Sequence, residues 1–199
     1  MGQCHALGFY KVLIVMSLPD GSAHGRFQPL HNGHLEYLLA AKAKCGHLWV
    51  GITQPDIRTL KQTADVHRGF PASNPLTFAE RFAIITEALV DAGVDRGGFS
   101  VIPFPIEDPP CLPDYLPTTT KVFTTIYDEW NRHKVDVLKA AGYSVEVLWE
   151  RAVKEFVGAR IRQLMIAGDD TWKREVPIAT TRMAERIGLA ARLRTLDMR

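Results

Sequence analysis

The residues best suited to chemistry lie in one short segment of the chain, residues 25–34, which reads GRFQPLHNGH. His31 and His34 are three positions apart, so they lie one turn apart on one face of a helix. If a helix begins between them, both imidazoles lie beside its N-terminus, where unpaired N–H groups and the positive dipole end attract anions. Arg26 adds a planar cation, and Gly33 lets a ligand approach the backbone closely. The segment therefore predicts a polyphosphate-binding site.

Two other uses of the histidine pair are open at this point. Histidines at this spacing can bind zinc, although no third ligand is evident nearby, and they can also act as ordinary surface or helix-capping residues. The sequence contains no GxGxxG, Walker A, GxSxG or HExxH pattern. Dehydrogenase, P-loop, serine hydrolase and zincin functions therefore have no support from motifs.

The composition excludes several further classes. The chain has 24 Lys plus Arg against 22 Asp plus Glu, and no run of five like charges, so nucleic-acid binding is not indicated. Three scattered cysteines are too few for a disulfide framework. The longest apolar stretch, residues 12–18, is too short to span a bilayer and lacks a cleavage site after it. We therefore expect a cytoplasmic protein that binds neither membranes nor nucleic acid.

Apolar, β-branched runs alternate with helical patterns, which predicts βαβ units in a doubly wound, mainly parallel α/β sheet within a single domain, residues 1–199. The predicted strands cover residues 11–17, 47–53, 100–103, 121–125 and 143–149. The predicted helices cover residues 33–44, 77–92, 127–141, 159–167 and 177–187, the second with a capping box at Thr77 and Glu80. We interpret residues 19–22 as a turn and 55–74 as a mobile loop, and the prolines in 103–117 argue against regular structure there.

The segment 25–34 resembles the signature of the nicotinamide-mononucleotide adenylyltransferases, in particular their archaeal-type branch, within the wider group of nucleotidyltransferases with an HxGH motif. Other segments resemble further motifs of that family at comparable spacing. They are residues 74–81 (NPFTxxER), 102–105 (the strand before the acceptor loop), 121–124 (VFTGN) and 160–168 (STxIRxxMxxG). The resemblance covers about residues 22–196, and it implies a Rossmann-like fold whose C-terminal helices, about 159–199, close the triphosphate site.

The reaction implied by this resemblance is nucleotidyl transfer. An acceptor phosphate oxygen attacks the α-phosphorus of a nucleoside triphosphate and pyrophosphate leaves, most directly with ATP and nicotinamide mononucleotide to give NAD. The attacking oxygen is already anionic at neutral pH, so catalysis requires positioning and charge stabilisation more than a strong base. Mg²⁺ would be bound mainly by the phosphates, without metal ligands from the chain. The resemblance is compatible with a homo-oligomer.

The family pattern also implies roles for individual residues. The catalytic candidates, which would hold the triphosphate and stabilise the transition state, are His31, His34, Arg26 and Arg162. The nucleotide-binding candidates are Gly25, Phe27, Gln28, Gly33, Arg160 and Thr124. The acceptor-binding candidates are Arg81, Asn74 and Tyr115. For Arg81 and Arg162 the alternative is a solvated cation on a helix surface.

The sequence departs from the family pattern in four places. Val157 and Ala159 replace a Ser and a Thr of the closing motif, each hydroxyl being worth about 1.5–3 kcal/mol to a charged partner. Residues 124–126 read TTI where the family has TGN, and residues 107–117 lack the tryptophan that stacks on the nicotinamide ring. Residues 19–22 also separate the predicted strand at 11–17 from GRFQP, where the family has a strand directly before this motif.

These departures lie mainly at the acceptor end and in part of the triphosphate clamp, and they leave alternatives open. One is a CTP-dependent cytidylyltransferase acting on another phosphate or phosphonate acceptor, as in the activation of phosphonates in natural-product pathways. Another is a non-catalytic nucleotide sensor, which would bind the triphosphate but release no pyrophosphate. Class I aminoacyl-tRNA synthetases share the HxGH motif, but no KMSKS-like lysine motif and no strong basic patch follow it here.

Overall fold

The computed structural model describes residues 19–56, 70–153 and 155–198. Within these residues, one five-stranded sheet forms the centre of the molecule, with strand order β3-β2-β1-β4-β5 and every pairing parallel. The strands are β1 (Gly21–Gly25), β2 (Leu48–Ile52), β3 (Phe99–Pro103), β4 (Lys121–Ile126) and β5 (Val145–Glu150). The predicted doubly wound parallel sheet is confirmed.

Six helices flank this sheet in the described part of the chain. They are α1 (Asn32–Lys42), α2 (Phe78–Asp91), α3 (Glu129–Ala140), α4 (Gly158–Ala167), α5 (Ile178–Arg186) and α6 (Leu189–Asp197). The five predicted helices are confirmed with ends that differ by one or two residues, and α2 has the predicted capping box between Thr77 and Glu80. Helix α6 was not predicted, because it follows α5 after only Ile187 and the left-handed Gly188. A short 3-10 helix, Pro109–Asp114, also forms within the proline-rich stretch.

The predicted turn at residues 19–22 is wrong in its second half. Gly21 and Ser22 belong to β1, the central strand, which runs directly into Arg26, so the expected separation of the strand from GRFQP is also wrong. Glycine is needed at position 21, since a Cβ there would lie 2.5 Å from the ring of Phe123. The predicted strand at 11–17 and residues 57–69 of the predicted loop lie outside the described residues.

Helices cover both faces of the sheet and form two clusters of buried apolar side chains. The larger cluster joins the strands to α1, α2, α4, α5 and α6, while the smaller one, around Phe104 and Leu138, lies on the side of α3. β2 and β3 lie on one side of β1 in the sheet, and β4 and β5 lie on the other, so the strand order switches between the neighbouring strands β1 and β4. Doubly wound folds bind ligands in the crevice at the carboxyl ends of two such strands. No helix among the described residues has the length and apolar character needed to cross a bilayer.

Candidate active site

A cavity of about 680 Å³ opens at this crevice, within the size range of small-molecule sites. One wall is formed by the β1–α1 connection and the start of α4, and the other by α3 and the segment after β3. Eight of the predicted site residues line it, namely Gly25, Arg26, Phe27, Gln28, His31, Gly33, His34 and Arg162. The structure therefore brings together the residues of the GRFQPLHNGH segment and the arginine of the closing motif.

The two histidines begin helix α1 and hold each other in place. His31 is the N-cap residue, and its Nδ1 accepts the backbone N–H of His34 at 3.1 Å, while His34 Nδ1 accepts the backbone N–H of His31 at 3.4 Å. Their rings stack with centroids 3.5 Å apart and planes 12° from parallel. The N–H of Asn32 donates to the carbonyl of Glu175. These three backbone N–H groups are already paired, so the imidazoles are the donors that the helix start presents to the cavity.

The connection between β1 and α1 is held in an unusual backbone conformation. Phe27 has a φ of 54°, in the left-handed region, which costs about 1–3 kcal/mol for a non-glycine residue and is typical of functional sites. Its ring is buried and meets His34 edge-on, with the centroids 5.0 Å apart. The Gln28 amide makes two hydrogen bonds to the backbone of Leu76, each 2.9 Å long. These contacts fix the loop against the start of α2.

Arg162 reaches the same loop from α4. Its Nη1 donates to the backbone carbonyl of Gln28 at 2.6 Å, and the side chain lines the cavity. Burial lowers the pKa of Arg162, which nevertheless stays protonated at neutral pH because its ordinary value is so high. The guanidinium is therefore a fixed positive charge beside His31 and His34, suited to the outer phosphates of a triphosphate.

The opposite wall carries polar groups that the sequence motifs did not indicate. Trp130, His133 and Lys134 of α3 line it, together with Glu107 and His24. Partial desolvation raises the pKa of the Glu107 carboxyl, although the positive charges of Arg26 and Arg81 oppose this effect. His24 was recognisable as one of three clustered histidines, but nothing in the sequence connected α3 with this cavity.

Arg81 occupies a different place from the acceptor site predicted for it. It is 1% exposed and does not line the cavity. Its Nη1 donates to the carbonyls of Arg26 and Thr53 at 3.0 and 2.8 Å, and its Nη2 donates to the carbonyl of Gln54 at 2.8 Å. Burial lowers the pKa of Arg81 to about 10. Arg81 therefore positions the ends of β1 and β2 from behind.

Four other predicted residues also lie outside the cavity lining. Thr124 is buried in β4, and its neighbour Thr125 lines the cavity instead. Arg160 is largely exposed and pairs with Glu175 at 3.1 Å. Asn74 is buried with its amide donating to the carbonyl of Phe70, and Tyr115 is 43% exposed after the 3-10 helix. The family pattern gives only the order of these positions along the chain. Whether a side chain lines the cavity depends on which face of its strand or helix is turned towards the cavity.

The fold and this site define a nucleotidyltransferase, and the chain belongs to the cytidylyltransferase-like family, whose model matches residues 22–186. The phosphonoformate cytidylyltransferase of Streptomyces viridochromogenes is 44% identical over 87% of this chain and 95% of its own. A nicotinamide-nucleotide adenylyltransferase of Picrophilus torridus is 31% identical over 87% of this chain and 94% of its own. The sequence resemblance and the enzyme class are both confirmed.

Solved structures show the same fold at low sequence identity. A bifunctional NMN adenylyltransferase/ADP ribose pyrophosphatase from Francisella tularensis matches with a TM-score of 0.53 and 17% identity, covering 76% of this chain and 43% of that one. The NadR protein in complex with NR matches with a TM-score of 0.51 and 17% identity, covering 83% of this chain and 45% of that one. This chain therefore spans less than half of those two proteins.

Proposed function

We propose that this enzyme transfers a cytidylyl group from CTP to a small acceptor that carries a phosphonate or phosphate, and releases pyrophosphate. The observation that carries the choice of substrates is the 44% identity, over nearly the whole chain, to a protein named phosphonoformate cytidylyltransferase. An acceptor oxygen forms a bond to the α-phosphorus of CTP, and the bond from that phosphorus to the bridging oxygen breaks. The electron pair leaves with pyrophosphate.

The chain's own contribution is positioning and neutralisation of charge. Negative charge grows on the phosphate oxygens in the transition state, and donors already aimed at that charge lower the barrier. His31 and His34 supply imidazole donors at the start of α1, and Arg162 supplies a fixed cation. The phosphonate oxygens are ionised at neutral pH, so no residue is required to remove a proton from them.

Mg²⁺ would enter this site with the triphosphate. The donor set of the cavity is dominated by imidazole and guanidinium groups, and no cluster of three His, Cys, Asp or Glu side chains able to hold a metal occurs among the described residues. Mg²⁺ prefers oxygen ligands and commonly keeps phosphate oxygens and water in its shell. When bound, it neutralises charge on the leaving pyrophosphate.

The charge of the cavity favours a small anionic acceptor. Four cationic side chains line it, Arg26, Lys134, Arg151 and Arg162, against three carboxylates, Glu36, Glu107 and Glu155, and Glu36 is paired with Arg151. A phosphonate with a carboxylate is attracted by such a surface, whereas the positively charged nicotinamide ring of nicotinamide mononucleotide is not. This electrostatic preference supports a carboxy-phosphonate as the acceptor.

Adenylyl transfer from ATP to nicotinamide mononucleotide is the second candidate, and one observation favours it. The indole of Trp130 lines the cavity from α3, although the loop where the family carries its tryptophan has none. An indole face binds a positively charged aromatic ring through cation–π attraction. The relative from Picrophilus torridus, at 31% identity, carries the name of that activity.

Pyrophosphate release separates the two candidates. The purified protein is supplied with Mg²⁺ and each pairing of CTP or ATP with phosphonoformate or nicotinamide mononucleotide, and ³¹P NMR identifies the product. We expect kcat/KM for CTP with phosphonoformate to exceed that for ATP with the mononucleotide at least tenfold. The reverse order would contradict the proposal, and the same panel with a His34→Ala protein controls for contaminating activity.

A further inference from the structure

His24 forms part of the cavity wall that the triphosphate-binding residues do not use. It lies in β1 opposite Gly51 of β2, and its ring stacks on Phe104 with centroids 4.7 Å apart and planes 15° from parallel. Phe104 can lie against the sheet because position 51 is glycine, since a Cβ there would come within 2.7 Å of the Phe104 side chain. The position of the imidazole is thus determined by two neighbouring strands and the segment after β3.

The imidazole is buried without hydrogen-bond partners. Neither ring nitrogen of His24 has a partner among the described residues, although its backbone N–H donates to the Tyr37 hydroxyl at 3.1 Å. Burial and, to a lesser extent, the nearby positive charge of Lys134 together lower the pKa of His24 to about 3, so the ring is neutral at pH 7. A neutral imidazole has one N–H donor. Buried donors without partners are rare in proteins and costly unless a ligand satisfies them.

Lys134 gives this part of the cavity its positive charge. It extends from α3, lines the cavity and lies close enough to His24 to affect its titration. His31, His34 and Arg162 lie on the other wall with the α1 and α4 N-termini. An acceptor whose phosphonate meets the triphosphate near those residues can extend its remaining end towards His24 and Lys134.

We propose that His24 and Lys134 bind the carboxylate of a carboxy-phosphonate acceptor, the end of the molecule that does not attack the α-phosphorus. This inference rests on the proposed function and adds the residues that select the acceptor. The imidazole N–H donates to one carboxylate oxygen, and the ammonium group supplies the charge, a combination that distinguishes a carboxylate from a methyl group. Acceptors with a second anionic group are therefore preferred over simple alkyl phosphonates.

Kinetics with two acceptors test this selection. Pyrophosphate release is measured with CTP and either phosphonoformate or methylphosphonate, for the wild type, His24→Phe and Lys134→Met. His24→Phe keeps an aromatic ring against Phe104. We expect each substitution to lower kcat/KM for phosphonoformate about tenfold or more, as for the loss of a hydrogen bond to a charged group, and to change that for methylphosphonate less than threefold.

Lys139→Met is the matched control, because Lys139 lies on the same helix, is exposed and does not line the cavity. It removes the same charge and should leave both acceptors unaffected. Equal losses for both acceptors in Lys134→Met and His24→Phe, or no loss for either, would overturn the inference. An effect of Lys139→Met equal to that of Lys134→Met would also overturn it, since net charge alone would then account for the result.

A measurement without turnover distinguishes this inference from the proposed function. Imidazole ¹H–¹⁵N NMR signals are recorded while phosphonoformate is added to the protein without nucleotide, and His24→Phe assigns the His24 signal. We expect a saturable shift of that signal, with weaker binding in Lys134→Met. A shift without pyrophosphate release from any phosphonate means that the proposed function alone is wrong. An unchanged His24 signal overturns the carboxylate site, whichever substrates turn over.

Discussion

His31 and His34 each accept the backbone N–H of the other through Nδ1, at distances of 3.1 and 3.4 Å. A neutral imidazole carries its proton on the nitrogen that does not accept, so this reciprocal cap assigns the proton of both rings to Nε2. Both histidines thereby offer Nε2–H donors from stacked rings whose centroids are 3.5 Å apart. The same contacts that begin helix α1 also select the tautomer that can donate to phosphate.

Substitution of His34 separates these two roles. His34→Ala removes the cap contact and the donor, and we expect it to lower the free energy of unfolding by about 0.5–2 kcal/mol and turnover by about 10²–10³-fold. His34→Gln keeps a residue type that completes a capping box at this position but has no imidazole. Urea unfolding should therefore show near-normal stability for His34→Gln, while its pyrophosphate release stays low. Near-normal turnover in that variant would exclude the imidazole from the reaction.

Two arginines of α4 test the geometry of the triphosphate site. Arg162 lines the cavity and donates to the Gln28 carbonyl, whereas Arg160 points to Glu175. We expect Arg162→Lys to raise KM for the triphosphate about tenfold, because lysine cannot contact phosphate and carbonyl with a planar fork. Arg160→Lys should change it less than twofold. Equal effects of the two substitutions would restore the nucleotide-binding role that the sequence pattern assigned to Arg160.

The sequence predicted those parts of the site that depend on local spacing. His31 and His34 could be placed at a helix start because three-residue spacing and the following helical pattern are properties of neighbouring residues. The alternation of strands and helices likewise predicted the parallel sheet. The sequence pattern predicts a turn at Gly21 and Ser22 because both are turn formers. Glycine is needed at position 21 for a different reason, since the ring of Phe123, about a hundred residues away, leaves no room for a Cβ.

Long-range packing determined what the sequence did not predict. The sequence pattern predicts Arg81 as an anion-binding residue, whereas its guanidinium donates to carbonyls just beyond the ends of two different strands, β1 and β2. Trp130 and Lys134 reach the cavity only because α3 covers the face of the sheet next to β4. His24 acquires its unusual environment from Phe104, eighty positions further along the chain. None of these relationships has a signature in local pattern or spacing.

Arg81 is expected to act on stability as well as on the site. Arg81→Lys keeps the charge, but one ammonium group cannot reach the carbonyls of Arg26, Thr53 and Gln54 together. We expect the free energy of unfolding to fall by about 2–4 kcal/mol, since hydrogen bonds from buried charged groups are costly to lose. Arg96→Lys, at an exposed site, should change it by less than about 0.5 kcal/mol. Equal denaturation midpoints for the two variants in urea would contradict this role.

His24 makes stability depend on pH in a defined direction. Its pKa is lowered from 6.5 to about 3, so between these values the unfolded chain binds the proton more tightly and acid favours unfolding. From this residue alone, the free energy of unfolding should fall by about 2 kcal/mol between pH 7.5 and pH 5. Urea unfolding of wild type and His24→Phe at both pH values checks the difference. An equal loss of stability in both proteins would show that the imidazole is not buried as a neutral group.

Helix α4 begins without a side-chain cap, so a hydroxyl added at its N-cap position, Val157, tests whether this helix start contacts the phosphates. Val157 is its N-cap residue, makes no capping hydrogen bond and lines the cavity where the family carries a hydroxyl. Val157→Thr adds that hydroxyl at nearly constant volume, so it should stabilise the fold by about 0.5–1 kcal/mol and tighten binding of a non-hydrolysable triphosphate analogue severalfold. Val157→Ala, which removes volume without adding a donor, should do neither. Calorimetric binding unchanged in Val157→Thr, with the stability gain present, would mean that the start of α4 serves the helix and does not contact the phosphates.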